Sequence, residues 1–379
     1  MRPLKSSGNL ELIKRLILKM QEGGGSLSFS EFMQGCLYEE GLGYYATGGG
    51  RIGRRGDFYT SVSVGALFGE LMARQFCEVD ELLGHLGEFV ICEQGGHDGT
   101  FAVDVLTWFR EHREGVLERL KYRFIEPHAR LVELQRRNLE RAGMMEHAGW
   151  YSIHEAMPEM EGVFFSNELV DAFPVDLVVW REGAWRERRI CWKGEEFGWC
   201  EEPVGERLYD AVKDLPNAFE GYRMEVNLAA ERWMGNVARR IRRGVVLTID
   251  YGYRRPVGVP LPAERVDGTL ACYRKHARSD DPLREVGCQD ITAHVDFERL
   301  IAIGERTGLR TEGFTDQHHA LVGLAEGDFL REGEPPAPEK LRAFKQLMHP
   351  ELMGTSFQVL VQSKNLPGLK LSCLKYSRR

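Results

Sequence analysis

Four apolar segments that each close on an acid constrain this 379-residue chain more than any other feature. Glu88 to Cys92 ends at Glu93, Tyr122 to Ile125 at Glu126, Gly162 to Ser166 at Asn167-Glu168, and Val245 to Ile249 at Asp250. After Glu93 a glycine turn leads into a segment with Phe101, Ala102, Val105, Leu106 and Phe109 on one helical side. After Glu126, Pro127 is placed to open a helix, HARLVELQRRNLERA, that stops at Gly143. Strands alternating with helices indicate βαβ units and a parallel sheet covered on both faces. In such sheets ligands bind outside the carboxyl ends of the strands, near the point where strand order reverses. A row of acids there suits a ligand carrying hydroxyls or positive charge, not a polyphosphate.

The turn after the first strand, EQGGHDG (93–99), agrees with that reading. It does not meet G-x-G-x-x-G, and no Gly-Lys-Ser/Thr follows, so the dinucleotide and P-loop phosphate motifs are both absent. S-adenosylmethionine fits better. Its amino-acid tail needs close backbone approach at a glycine turn, its ribose hydroxyls want an acid, and its sulfonium is a cation. Glu126 stands where a ribose-binding acid belongs. The alternative is a tight βα turn surrounded by solvated acids.

Composition narrows the class. Net charge is −7 and the pI is near 6.0, so no whole-protein positive field would hold nucleic acid or an anionic membrane. No apolar run approaches the ~20 residues of a membrane helix. The N-terminus shows neither the apolar block of a secretory signal nor an acid-poor amphipathic transit peptide. The eight cysteines contain no C-x-x-C pair, which argues for reduced thiols without disulfides or zinc. A bacterial cytoplasmic protein, most simply an enzyme, is the expectation.

The remaining segments place additions around the sheet. Leu10, Ile13, Leu16, Ile17 and Met20 form a helical stripe, stopped by Gly23 to Gly25. A capping box from Ser28 to Glu31 opens a second helix that runs to about Tyr38. A glycine-heavy stretch (41–61) is long enough to be a lid or binding loop. A third helix covers about Val64 to Val79, and a weaker strand Tyr151 to Ile153. VDLVVWREGAWRERRICW reads as a hairpin turning at Glu182-Gly183, with Trp180, Trp185 and Trp192 on its arms. Two late strands are expected near Leu309 to Phe314 and Phe357 to Val361, the first of them preceded by helical Asp296 to Arg306.

Several segments resemble one family. They are FSEFMQGCLY with GYY (29–45), GDFYTS then FG (56–69), EQGGHDGT (93–100), FSNELVDAFPVD (165–176), IDYG (249–252) and GTLACYRKHARSDDPLREVGCQDITAHVDF (268–297). Together they resemble the MidA-like proteins, which include mitochondrial complex I assembly factors and are S-adenosylmethionine-dependent protein arginine methyltransferases. The resemblance runs from about residue 29 to 362. It implies an α/β fold: a class I methyltransferase (Rossmann-like), doubly wound, mostly parallel sheet with an N-terminal helical cap and an antiparallel β insertion. The implied organisation is a cap and lid loop at 1–84 and a core at 85–379. The core would hold an insertion at about 175–235 and additions at about 256–308 and 325–350.

Carried over residue by residue, Glu93, Gly95 and Gly99 match the cofactor turn and Glu126 the ribose acid. Asp57, Thr60 and Ser61 would close over the cofactor as a lid, or cap the third helix. Asn167, Glu168, Asp171 and Pro174 match the motif facing the methyl group. An arginine substrate is cationic, and a carboxylate fork offsets its repulsion from a sulfonium while aiming the attacking nitrogen. Glu168 is the chosen partner, with Asp171 second and Asn167 orienting the loop. The plainer role for both acids is to cap the next helix. His276, Asp290 and His294 either shape substrate entry or tie a long loop to the core, and their spacing fits no metal motif. Two positions depart from the family. His97 replaces the middle glycine of E-x-G-x-G-x-G, and Val62-Ser63 replaces a Pro-Glu. These departures keep open a scaffold or assembly factor without turnover; a third function, a small-molecule methyltransferase, is opposed by the long insertion and the C-terminal additions, which suit a larger substrate.

Overall fold

Burial of the strand-end segments on both sides explains why they read as near-continuous apolar runs. In the computed structural model they form the centre of one sheet. The structure describes residues 6–48, 61–85, 87–255, 265–274, 277–329, 337–349 and 354–377. The sheet's strands are β1 (Phe89–Gln94), β2 (Leu120–Ile125), β3 (Ala148–Tyr151), β4 (Met160–Asn167), β5 (Ile241–Tyr253), β6 (Arg310–Asp316) and β7 (Phe357–Lys364). They lie in the order β6-β7-β5-β4-β1-β2-β3. β1 to β5 are parallel, and β7 runs antiparallel to both of its neighbours. Strand order therefore reverses between β1 and β4, which makes the carboxyl ends of these two strands the place for a ligand.

The chain divides into two compact units. The sheet unit comprises Thr60–Leu169, Arg232–Tyr253 and Phe297–Arg379, and the other unit comprises Met1–Tyr59, Val170–Glu231 and Arg254–Asp296. This division differs from a single cut after residue 84, because residues 61–84 fall with the sheet, and the described residues between 265 and 296 fall with the N-terminal helices.

In the sheet unit, helix Leu67–Leu83 packs Phe68, Leu71 and Phe76 beside Phe101, Val105 and Phe109 of helix Thr100–His112. Beneath them lie Ile91, Tyr122, Phe165, Leu247 and Val361 of the sheet. Phe101 stacks on Phe165 with ring centroids 4.6 Å apart, and Phe76 meets the same ring edge-on at 5.5 Å. Each such buried side chain contributes about 1.5–3 kcal/mol. On the opposite face Trp233 meets Phe164 at 6.0 Å, and its indole donates to Gln94 at 2.9 Å.

The other unit is built on antiparallel strands. Ala184–Trp192 pairs with Asp176–Arg181, Phe197–Pro203 and Ser26–Ser28, and Asp176–Arg181 pairs with Arg223–Val226. The hairpin turns at Glu182 (φ +50°) and Gly183 (φ +80°), the left-handed pair of a tight two-residue turn. Leu12, Ile13 and Leu16 of helix Leu10–Glu22 and Phe29 and Phe32 of helix Phe29–Tyr38 share a core with Leu177, Ile190 and Phe197. The N-terminal cap and the insertion are thus one packed body. Trp180 and Trp185 pack on the hairpin's own small core around Val178 and Met224.

Local expectations hold with three adjustments. The capping box at Ser28 and Glu31 is complete, and the Glu133–Arg137 pair sits at 3.2 Å. Leu10 is exposed, because the buried stripe runs through Leu12, Ile13, Leu16 and Met20. The third parallel strand ends at Tyr151 rather than starting there. Pro127 precedes its helix, which starts at Ala129, since the Glu126 carboxylate takes the His128 amide at 2.9 Å and holds the chain outside the helix.

Candidate active site

The candidate site is built from the carboxyl ends of β2, β1 and β4, three adjacent strands. Glu93 is the penultimate residue of β1, in register with Phe124 of β2 and Phe165 of β4. Glu126 follows β2 directly, and Glu168 follows β4. Glu126 lies two residues beyond the register position opposite Glu93, and Glu168 three residues beyond it, each following a strand that neighbours β1.

Glu93 lies under the glycine turn. It is buried, and the Tyr122 hydroxyl donates to its Oε2 at 2.8 Å. Burial pushes it up to about 8; the tyrosine bond opposes that shift, and Asp98 adds to it. A side chain at Gly96 would place its Cβ 2.8 Å from Glu93 Oε2, so the turn passes directly over the carboxylate. Gly95 (φ +86°) and Gly99 (φ +82°) hold the left-handed conformations that bring the turn round into helix Thr100–His112. His97 also takes a left-handed φ of +41°, the conformation that a glycine supplies freely. The carbonyls of His97 and Asp98 accept from Gln135 and Asn138, each at 3.0 Å, which anchors the turn to helix Ala129–Ala142. Burial raises Asp98, but hydrogen bonds from His97 and Thr100 outweigh it and leave the acid at about 2.

Glu126 is buried and raised to about 7 by that burial, against the opposing His128 amide, the nearby His97 and Gln135. Glu168 stands in left-handed backbone, φ +53°. Its amide donates to the Ile249 carbonyl at 2.9 Å, and its Oε1 accepts from Asn167 Nδ2 at 3.0 Å and from the Ser61 amide at 3.3 Å. Burial pushes Glu168 up to about 8; the Asn167 bond works against this, and Asp250 works with it. Asp250, fully buried, accepts from the Leu169 and Tyr251 amides at 3.1 and 2.8 Å and so fixes the chain just after Glu168. Asn167 Oδ1 is buried without a hydrogen-bond partner.

Ser61 ends the glycine-rich stretch, and its hydroxyl donates to Gln317 Oε1 at 3.0 Å. Val62–Val64 then forms one 3-10 turn, so the Val62-Ser63 departure leaves the Ser61 amide on Glu168. Asp57, Thr60 and His276 lie outside the described residues.

Asp171 and Asp290 belong to the other unit. Asp290 is buried and accepts from the Tyr45 hydroxyl at 2.8 Å, a tie between the long loop and its core. His294 is exposed, with its amide on Thr269 Oγ1 at 3.0 Å. Among the described residues no group of His, Cys, Asp and Glu is arranged to hold a metal, and no helix is long and apolar enough to cross a membrane.

The residues present fit S-adenosylmethionine. The glycine turn has no room for a side chain at Gly96, an acid ends β2, and an orphaned amide oxygen and a raised carboxylate end β4. Sequence reasoning found these acids, but it missed Tyr122, Gln135 and Ser61's amide as their partners. Only Ser61 carried a sequence signal, through the lid motif.

Comparison with known proteins agrees. A family model described as "Putative S-adenosyl-L-methionine-dependent methyltransferase" matches residues 71–315. "Protein arginine methyltransferase NDUFAF7 homolog, mitochondrial" of Drosophila melanogaster is 28% identical over 93% of this chain and 85% of that protein. The human "Protein arginine methyltransferase NDUFAF7, mitochondrial" is 24% identical over 97% of this chain and 86% of that protein. A Burkholderia thailandensis structure bound to S-adenosyl-homocysteine superposes with a TM-score of 0.85 at 29% identity, covering 97% of this chain and 95% of that one. With the family model spanning most of the chain and the class I methyltransferase sheet in place, this protein belongs to the MidA-like family of S-adenosylmethionine-dependent methyltransferases.

Proposed function

We propose that this enzyme methylates arginine side chains of a partner protein. The observation that carries the reading is Glu168, a carboxylate held in strained backbone at the end of β4 and raised to about 8 by burial. Such a group answers a cation. A guanidinium brought against it draws the carboxylate back to its charged form and meets both oxygens in a fork. At ~4 Å and an effective dielectric near 20, one such pair is worth about 4 kcal/mol before desolvation.

Gly95, Gly99 and Glu126 would hold S-adenosylmethionine, with Glu93 supporting the turn from below. Bound there, the cofactor supplies an electrophilic methyl group on a sulfonium. Glu168 orients the attacking nitrogen, Asn167 holds Oε1 of that carboxylate, and the Ser61 amide holds it from a second side. In-line displacement needs little more than this aim and charge complement. Glu168 is also placed to take the proton that the methylated guanidinium sheds. Asp171 offers a further carboxylate to a cationic protein substrate, and His294 is read as a surface contact for it.

The relatives' names support arginine as the target. His97 favours turnover over a scaffold role, because it keeps the conformation of the glycine it replaces. The eight cysteines stand free, which suits a reducing compartment. We read that compartment as a bacterial cytoplasm, although the relatives named above are mitochondrial. The test is calorimetry with S-adenosylmethionine, followed by mass spectrometry of cell-extract proteins after incubation with labelled cofactor. Binding together with labelled methylarginine is the expected result. Binding with label only on small molecules would replace the arginine reading.

A further inference from the structure

The single 3-10 turn Val170–Ala172, which begins two residues after Glu168, is held from several directions within the unit that contains the N-terminal helices. Each of its three carbonyls accepts a hydrogen bond from a different stretch of chain. Asn227 Nδ2 donates to the Val170 carbonyl at 3.5 Å, the Ala293 amide to that of Asp171 at 2.9 Å, and the Tyr38 hydroxyl to that of Ala172 at 2.9 Å. Val170 and Ala172 are buried, so their carbonyls must find partners within the protein, and the Val170 carbonyl takes the Phe173 amide as well, at 3.1 Å. Here the donors are themselves braced. The Tyr38 ring stacks on Tyr45 at 5.4 Å, and the Tyr45 hydroxyl donates to Asp290, which opens the strand leading to Ala293. Asn227 Oδ1 also takes the Ala230 amide at 2.8 Å, so this side chain is fixed at both ends. The Asp171 carboxylate acts electrostatically on Tyr45 and Tyr273, both raised chiefly by burial. The bracing therefore converges on the residue that carries that carboxylate.

We infer that Tyr38 is a positioning residue for methyl transfer: its hydroxyl, with the Ala293 amide and the Asn227 side chain, holds the Val170–Ala172 turn so that Asp171 meets the substrate's cationic group in one orientation. The inference rests on the arginine reading above. It extends that reading to a residue at the end of an N-terminal helix, acting through Asp171. Preorganisation of this kind shows in the rate and leaves cofactor binding alone.

The test uses the full chain, labelled S-adenosylmethionine and a synthetic glycine–arginine repeat peptide as acceptor. Tyr38→Phe keeps the ring and removes the hydroxyl, and kcat is expected to fall roughly five- to tenfold, the worth of one hydrogen bond. Cofactor affinity by calorimetry should stay within about twofold, and amide exchange at residues 170–173 should quicken without a change in thermal midpoint. In an Asp171→Asn background the same substitution should cost nothing further, because a residue acting through Asp171 has nothing left to position. Asn227→Asp, which keeps the acceptor for Ala230 and loses the donor to Val170, should repeat the pattern. An unchanged kcat in an active enzyme, or losses that simply add in the double variant, overturns the role given to Tyr38. A wild-type enzyme that binds cofactor but leaves the peptide unmethylated overturns the arginine reading itself, and the role of Tyr38 falls with it.

Discussion

His97 and Glu168 both stand in left-handed backbone just past the ends of neighbouring strands, at φ +41° and +53°, yet they hold that shape for different reasons. At His97 the molecule uses the backbone. Its carbonyl takes Gln135, while the imidazole is half exposed with Asp98 at 3.9 Å. At Glu168 the molecule uses the side chain, with Oε1 held by two donors and the amide locked to β5. Left-handed backbone costs an ordinary residue ~1–2 kcal/mol. Glycine would remove that cost at either position. At residue 97 it would also remove the imidazole that helps to hold Asp98 low, but at residue 168 it would remove the carboxylate to which the arginine reading gives the substrate. A strained residue that keeps a functional side chain points to the site more strongly than one that merely completes a turn.

This contrast can be broken or sharpened experimentally. The largest effect should come from Glu168→Gln, which keeps size and backbone and removes the charge. Turnover is expected to fall roughly a hundredfold, with cofactor affinity mostly intact by calorimetry. Unchanged turnover would remove Glu168 from the mechanism and end the contrast. Next is Gly96→Ala. Its methyl would sit 2.8 Å from the Glu93 carboxylate that Tyr122 holds from below, so the turn must lift. A loss of about 1–3 kcal/mol in stability, by denaturant titration, and weaker cofactor binding are expected. A neutral outcome would mean that the turn's close approach does not matter.

A smaller effect follows from protonation. Glu93, Glu126 and Glu168 sit at about 8, 7 and 8, above an ordinary 4.5, so the folded state keeps protons that the unfolded chain releases. Stability from these groups is full below about 4.5 and is lost as pH rises through 7 to 8. The thermal midpoint of the cofactor-free protein should therefore decline over that range, less so in Glu126→Gln. Asp98 has the opposite sign. Held at about 2 below an ordinary 3.8, it stabilises above 3.8 and that contribution is lost in stronger acid. The smallest effect should be His97→Gly, which relieves the strain but frees the unfolded chain, for a net change within about 1 kcal/mol. A large loss there would show that the imidazole, not the backbone, is what the turn uses.

The sheet was legible because its signal is local. Each parallel strand is a short apolar run closed by an acid, and β1, β2, β4 and β5 were read within a few residues from that pattern alone. The capping box at Ser28 and the Glu182-Gly183 turn were legible for the same reason, since their partners lie within three residues. The antiparallel partnership of β7 with β5 and β6 was not read, because pairing direction between distant segments leaves no mark on either one. The shared core of the N-terminal helices and the hairpin was missed. Leu12, Phe29 and Ile190 meet across more than a hundred and fifty residues of chain, and amphipathic periodicity says that a face is buried but not against what.

What the residues alone determined is the chemistry on offer: a glycine turn, acids at successive strand ends, and no motif for phosphate or metal. Tertiary structure decided the surroundings of each of those acids. Tyr122 beneath Glu93, Gln135 beside Glu126 and the Ser61 amide on Glu168 come from other stretches of chain, and together with burial they set the charge at each carboxyl group. An acid's identity is written in one codon, but its protonation depends on how much water and which neighbours folding leaves around it.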